Sequence, residues 1–259
     1  PIEQYINYLL FKMHPKKKLK IVVDCGNGTA GHVVPELFRK AGHKAIVVFG
    51  KPDGVFPNRN PDPTEDRLKK LKEKIKKHNA DMGIAFDIDA DRLVVIDENA
   101  KKINQEQLSY IILKELLKTQ KGPVVVNVEC TNLLKQVANE FGCNVVRVPV
   151  GDTFLMHGVH EHNAVFGTER SGHCTIPSIT PFDDAIAISY YISCILEEPL
   201  SKQIKQMPKV FFDRTNFKCD DLKKFKTIKK LAKKLKKSYK RISEIDGIRI
   251  DINLSLIHI

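Results

Sequence analysis

A chain of 259 residues is long enough for two domains or one large one, and its 42% hydrophobic content is that of a soluble globular protein. No apolar run approaches the roughly 18 residues that a membrane-spanning helix needs, and no signal peptide precedes the first predicted strand, so no membrane partner is expected. The formal net charge of +12 suggests a nucleic-acid partner only until it is located: sixteen of the 43 Lys/Arg but three of the 31 Asp/Glu fall between Ser201 and Ile242, and the rest of the chain is close to neutral. Within that segment Leu222, Phe225, Ile228, Leu231, Leu235 and Tyr239 recur at three- and four-residue steps, the apolar face of a lysine-rich helix. A solvated helix is the first reading and a polyanion-binding surface the second. No groove of basic residues interleaved with aromatics is present, so no nucleic acid is expected. The six cysteines form no C-x-x-C pair, which reads as a reduced, cytoplasmic chain without a zinc site.

In chain order, Ile2, Tyr5, Ile6, Leu9 and Leu10 predict a helix over 2–13 that Pro15 closes. An apolar strand from Leu19 to Cys25 then runs into Gly26-Asn27-Gly28-Thr29-Ala30-Gly31 and a helix through Val33, Val34, Leu37 and Phe38. This spells G-x-G-x-x-G between strand and helix, the mark of a dinucleotide site. The next strand, Ala45 to Phe49, carries no acid at its tip to hold a ribose, and the glycines are read as a tight turn. A loop with three prolines follows, and Thr64 is placed to cap a helix over 65–78. Strands from Asp81 to Phe86 and from Leu93 to Asp97 complete the first series.

The pattern then begins again, with a helix at 105–118, a strand at 123–128, a helix at 131–141, a strand at 144–148, a helix after Asp152, a strand at 174–177 and an apolar helix at 183–196. The shared order suggests duplication. Strands at 209–217 and 245–252 flank the lysine-rich helix, and the terminal stretch from Leu254 to Ile259 reads as neither helix nor strand, as if truncated. The expected class is α/β: tandem α/β/α layered domains with mixed sheets, bounded at 1–101, 102–207 and 208–259.

Two loops carry chemistry. In Asp87-Ile88-Asp89-Ala90-Asp91-Arg92 three acids alternate, so an extended backbone points all three to one side. Such carboxylates repel unless a cation sits among them, and an all-oxygen set suits a hard ion such as Mg²⁺. Arg92 adds a fork donor suited to a phosphate oxygen. An acidic surface turn is the bland alternative. In Gly167-Thr168-Glu169-Arg170-Ser171-Gly172-His173, Glu169 and Ser171 fall on one side, an acceptor and a hydroxyl for neighbouring sugar hydroxyls, and His173 can exchange a proton near neutral pH.

Together the loops resemble the α-D-phosphohexomutase family, whose metal loop reads D-G-D-x-D-R and whose sugar loop reads G-G-E-x-S-G-H. Val22-Val23-Asp24 with Gly26-Asn27-Gly28, the stretch from Asp53 to Pro63, Val150-Gly151-Asp152 and Phe182-Asp183-Asp184 extend the match over nearly the whole chain. The proline-rich stretch looks like the phosphomannomutase/phosphoglucomutase branch. The resemblance implies Mg²⁺ on Asp87, Asp89 and Asp91, catalytic roles for Arg92 and His173, and a hexose phosphate, mannose or glucose 1- or 6-phosphate, held by Glu169, Arg170, Ser171, Gly151 and Asp152. It also implies an enzyme phosphoserine, whose T-x-S-H-N-P-like loop is not among these residues, so the chain is expected to be a piece, inactive alone. Ile88 and Thr168 stand where the family has glycines, which asks both loops for a changed or strained backbone. A haloacid-dehalogenase-like phosphatase, with Asp87 as nucleophile, is a second enzyme reading.

Overall fold

The computed structural model describes residues 1–63, 67–210, 215, 217–252 and 255–259. The first sheet contains β1 (Lys20–Asp24), β2 (Lys44–Val48), β3 (Met82–Phe86), β4 (Leu93–Asp97) and β5 (Lys102–Ile103) in the order β2-β1-β3-β4-β5. The first three strands run parallel and the last two antiparallel. The second sheet repeats this plan with β6 (Val124–Asn127), β7 (Val145–Val148), β8 (Phe166–Thr168) and β9 (Cys174–Thr175), ordered β7-β6-β8-β9. Again three strands are parallel and the hairpin partner is antiparallel. The duplication expected from element order is therefore present in strand order as well.

Period-two alternation divides each central strand between two layers. Ile21 and Val23 point into the principal core and Val22 into the one on the opposite face; Val124 and Val126 join the principal core and Val125 the layer beneath. Helices α1 (Ile2–Lys12) and α2 (Val34–Lys40) cover one face of the first sheet and α3 (Lys69–His78) the other, through Leu71 and Ile75. In the second unit, α4 (Gln105–Leu116), α5 (Leu133–Glu140) and α7 (Ala185–Ile195) share one face, and α6 (Asp152–Glu161) covers the other with Leu155 and Val159. The result is two α/β/α layers. The principal core runs without a break from Ile6 to Met207 through both. Each fully buried Val, Leu or Ile is worth about 1.5–3 kcal/mol, against about 0–1 kcal/mol for surface ion pairs such as Lys16–Glu115. Apolar burial decides the fold.

Several boundaries differ from the sequence reading. The helix expected from residue 65 begins at Lys69; Thr64, Glu65 and Asp66 lie outside the described residues. The two-residue β5 and the six-residue α8 (Leu200–Lys205) are too short for periodicity to reveal. In the stretch expected as a strand at 209–217, the described residues 209, 210, 215 and 217 lie in none, and the others fall outside the description. The strand expected over 245–252 is confined to β11 (Arg249–Ile252); its first half is a turn with Gly247 at φ 66°, which joins β11 to the short β10 (Ile242–Ser243). The terminal stretch forms β12 (Ser255–His258), paired antiparallel with β11, because its backbone finds partners that local patterning cannot announce. Helix α9 (Lys224–Leu235) packs Ile228, Leu231, Ala232 and Leu235 against Ile248 and Ile250, whereas Leu222 and Phe225 remain exposed, so only part of the apolar stripe is covered. Among the described residues no helix is long and apolar enough to cross a membrane.

Candidate active site

Asp87 follows β3 and Glu169 follows β8, equivalent positions in the two sheets: each is the first residue of the loop joining the last parallel strand to its antiparallel partner. The two hairpins meet. Arg92 and His173 form an antiparallel backbone bridge, and the Ala185 N–H at the start of α7 donates to the Ala90 carbonyl. Gly172, at φ 117°, permits the contact, since a Cβ there would lie 3.3 Å from the Arg92 Cβ.

Asp87, Asp89 and Asp91 each offer a carboxylate oxygen within 4.8 Å of the others. Asp87 is buried, Asp91 half-buried and Asp89 exposed. Burial, and then the adjoining carboxylate of Asp91, pushes the Asp87 pKa up. Arg92 offsets part of the crowding: its Nε donates to Asp87 Oδ2 at 2.7 Å and its backbone N–H to Oδ1 at 3.2 Å, with Asp91 Oδ1 3.6 Å from Nε. Asp91 Oδ1 is nonetheless buried without a hydrogen bond among the described residues. An oxygen-only donor set with one orphaned buried oxygen fits a hard divalent cation.

The loop is supported from beneath. The Ile88 carbonyl accepts from Thr29 N (2.8 Å) and Thr29 Oγ1 (3.1 Å), and a Cβ on Gly28 would lie 2.5 Å from that carbonyl oxygen. Arg59 lies under Gly26; its Nε donates to Asp24 Oδ1 at 3.0 Å and its Nη2 to the Phe86 carbonyl at 2.5 Å. The G-x-G stretch is thus the bed of the acidic loop as well as a turn. Of the changed or strained backbone expected at Ile88 and Thr168, the left-handed strain is not found. Neither has a positive φ; that conformation falls on Ala90, at 63°. Thr168 is an ordinary β8 residue whose buried hydroxyl lies 2.9 Å from Ser109 Oγ.

In the second loop Glu169 and Ser171 do share a side: Ser171 Oγ donates to Glu169 Oε2 at 2.8 Å. Glu169 Oε1 accepts from Gly151 N at 2.6 Å, which ties this hairpin to the start of α6. Asp152, the first residue of that helix, is exposed and is not joined to Glu169. Arg170 turns the other way, toward Glu106 at 4.0 Å, and lines a cavity of about 410 Å³ with Asn104, Gln107 and Thr131. His173 is half-buried. Burial pulls its pKa down, but the hydrogen bond to Asp183 and the charges of Asp91, Asp183 and Glu169 outweigh burial and raise it. Sequence reasoning assigned no part to Arg59, Asp24 or Thr29. The signals were a lone arginine in a proline-rich loop and an acid closing an apolar strand, both easily taken as surface residues.

Two family descriptions match the chain. The family described as "Phosphoglucomutase/phosphomannomutase, alpha/beta/alpha domain II" matches residues 3–101, and that described as domain III matches residues 104–211. The chain belongs to the α-D-phosphohexomutase family. It is 33% identical over 240 residues to a "Probable phosphoglucosamine mutase" of Methanopyrus kandleri, covering 91% of this chain and 53% of that protein. A phosphoglucomutase/phosphomannomutase family protein of Burkholderia thailandensis shares the fold at a TM-score of 0.88 and 26% identity, over 97% of this chain and 55% of that one. An N-acetylphosphoglucosamine mutase of Aspergillus fumigatus, solved in complex with GlcNAc-6P and magnesium, shares the fold at a TM-score of 0.56 and 16% identity, over 80% of this chain and 48% of that one. The chain spans about half the length of the curated relatives it matches.

Proposed function

We propose that this chain supplies the metal-binding and sugar-binding loops of a phosphohexomutase, which moves a phosphoryl group between the 6 and 1 positions of a hexose through an enzyme phosphoserine lying outside these residues. The observation that carries the reading is the Arg92–His173 bridge, because it brings the acidic loop and the glutamate-serine hairpin to one place. Asp87, Asp89 and Asp91 would hold Mg²⁺, which when bound neutralises charge on a transferring phosphoryl group. Arg92 steadies Asp87 and Asp91 and presents the remainder of its fork to phosphate. Glu169, held by Gly151 and Ser171, offers carboxylate oxygens to sugar hydroxyls, and His173 lies beside them as the proton carrier. Arg170 and Asp152 serve the site from its margin.

The test begins with the metal. Calorimetric titration of the chain with Mg²⁺ should show saturable binding. Asp89→Asn should lose about tenfold or more in affinity, roughly 1.4 kcal/mol, with the melting transition unmoved because Asp89 is exposed. Equal affinity in the two proteins removes the ion from this triad. For the sugar, the proline-rich stretch at 53–63 supports mannose or glucose, and the name of the M. kandleri relative adds glucosamine as a competitor. A longer protein that includes the phosphoserine loop, followed by ³¹P NMR, should convert one of the three 6-phosphates to its 1-phosphate. Turnover of none of them overturns the reading.

A further inference from the structure

Phe182-Asp183-Asp184 is a motif to which the reaction above assigns nothing. Its two acids do different work. Asp184 caps α7, with Oδ1 accepting from Ala187 N at 2.9 Å and Oδ2 accepting from the Tyr5 hydroxyl of α1 at 2.6 Å. Asp183 faces the site: its Oδ2 lies 2.6 Å from His173 Nδ1, and both side chains are mostly buried.

We propose that Asp183 is a positioning residue that fixes the ring orientation and tautomer of His173. A carboxylate oxygen can only accept, so the ring nitrogen beside it carries the hydrogen. In the neutral imidazole that leaves Nε2 as the bare acceptor, and among the described residues the one side-chain hydrogen bond of His173 is that of Nδ1. A free histidine holds its proton on either nitrogen; this one is committed. Asp91 Oδ2 lies 3.8 Å from the same Nδ1, so the acidic loop leans on the ring from a second side without replacing the shorter contact. The anchor is itself rigid, because Asp183 precedes the residue that caps α7, and the Ala185 N–H is tied to the Ala90 carbonyl. The inference rests on the phosphohexomutase reading only in what Nε2 would face, a hydroxyl of the bound hexose.

The experiment reads the tautomer directly. Long-range ¹H–¹⁵N correlation spectra of the ¹⁵N-labelled chain are recorded at a pH where its histidines are neutral, and the His173 signals are assigned by their loss in His173→Gln. Wild type should show the Nδ1–H form. In Asp183→Ala, with its amide spectrum otherwise retained, His173 should lose that pattern and go over to Nε2–H or to exchange between the two. Nε2–H in the wild type overturns the proposal, and this measurement stands even if the alanine variant fails to fold. Nδ1–H persisting in a folded Asp183→Ala overturns it as well. No turnover is needed, so the expected tautomers beside a longer protein that converts none of the three 6-phosphates would retire the proposed function and leave the role of Asp183 intact.

Discussion

Replacing Arg59 by methionine is expected to cost about 3–5 kcal/mol of stability, the range for removing one partner of a buried ion pair. The Arg59 and Asp24 side chains are 2% and 0% exposed, and the guanidinium also holds the carbonyls of Phe86, Asn60 and Pro61. Without it Asp24 keeps, among the described residues, only the Gly26 N–H, and its second oxygen already has no partner there. The pair is no simple asset even when intact: burial, opposed by Arg59 and by the Gly26 N–H, leaves the Asp24 pKa above the ordinary carboxylate value. Its use is positional, since Phe86 immediately precedes the first acid of the metal loop. Urea unfolding followed by far-UV circular dichroism measures the loss. The double variant Arg59→Met/Asp24→Leu should recover much of it, because apolar groups of similar size leave no buried charge behind. A single-variant loss below about 1 kcal/mol, the size expected of an exposed pair, would contradict the argument.

The second large effect is expected at Gly28, whose backbone, at φ −94° and ψ −169°, suits any residue. The obstacle is steric alone. A Cβ would stand 2.5 Å from the Ile88 carbonyl oxygen and 2.8 Å from its Cα, and these are backbone atoms that cannot rotate away. Valine at this position should therefore lift the loop between Asp87 and Asp89. Overpacking should cost about 1–3 kcal/mol of stability, and Mg²⁺ affinity should fall by at least about tenfold. Calorimetry on the folded variant decides. Wild-type affinity would mean that the triad does not depend on the turn beneath it.

What could be read from the sequence follows from how far apart the cooperating residues lie. The central strands were legible because buried parallel strands are nearly unbroken apolar runs, Ile21-Val22-Val23 and Val124-Val125-Val126 among them. Helix α4, expected at 105–118, ends two residues early, and its start is closed by a reciprocal capping box of Asn104 and Gln107 that the sequence reading did not single out. In the site, Glu169 with Ser171 and the three aspartates were visible because each set lies close together within a single loop, although neither loop runs extended as the alternation argument assumed: the acidic loop turns at Ala90, φ 63°, and the second closes through Gly172 N to the Glu169 carbonyl. Arg59 reaches Asp24 across 35 residues, and the Arg92–His173 bridge joins two separate units; no local pattern encodes either. The replacements at Ile88 and Thr168 misled for a related reason. A glycine in a family motif need not sit where φ is positive, and here the left-handed residue is Ala90.

Helix α1 opens the first sequence unit, yet its Tyr5 and Tyr8 hydroxyls bond Asp184 and the Ile179 carbonyl in the second, and Tyr190 of α7 reaches back to the Met13 carbonyl. The amino-terminal turn of the chain is therefore a strap buckled onto the neighbouring module. A chimera that joins residues 1–101 to a second unit without an acceptor at position 184 would leave the Tyr5 clasp open, and the histidine whose support adjoins Asp184 would feel the misfit. Moving the two modules together keeps all three clasps.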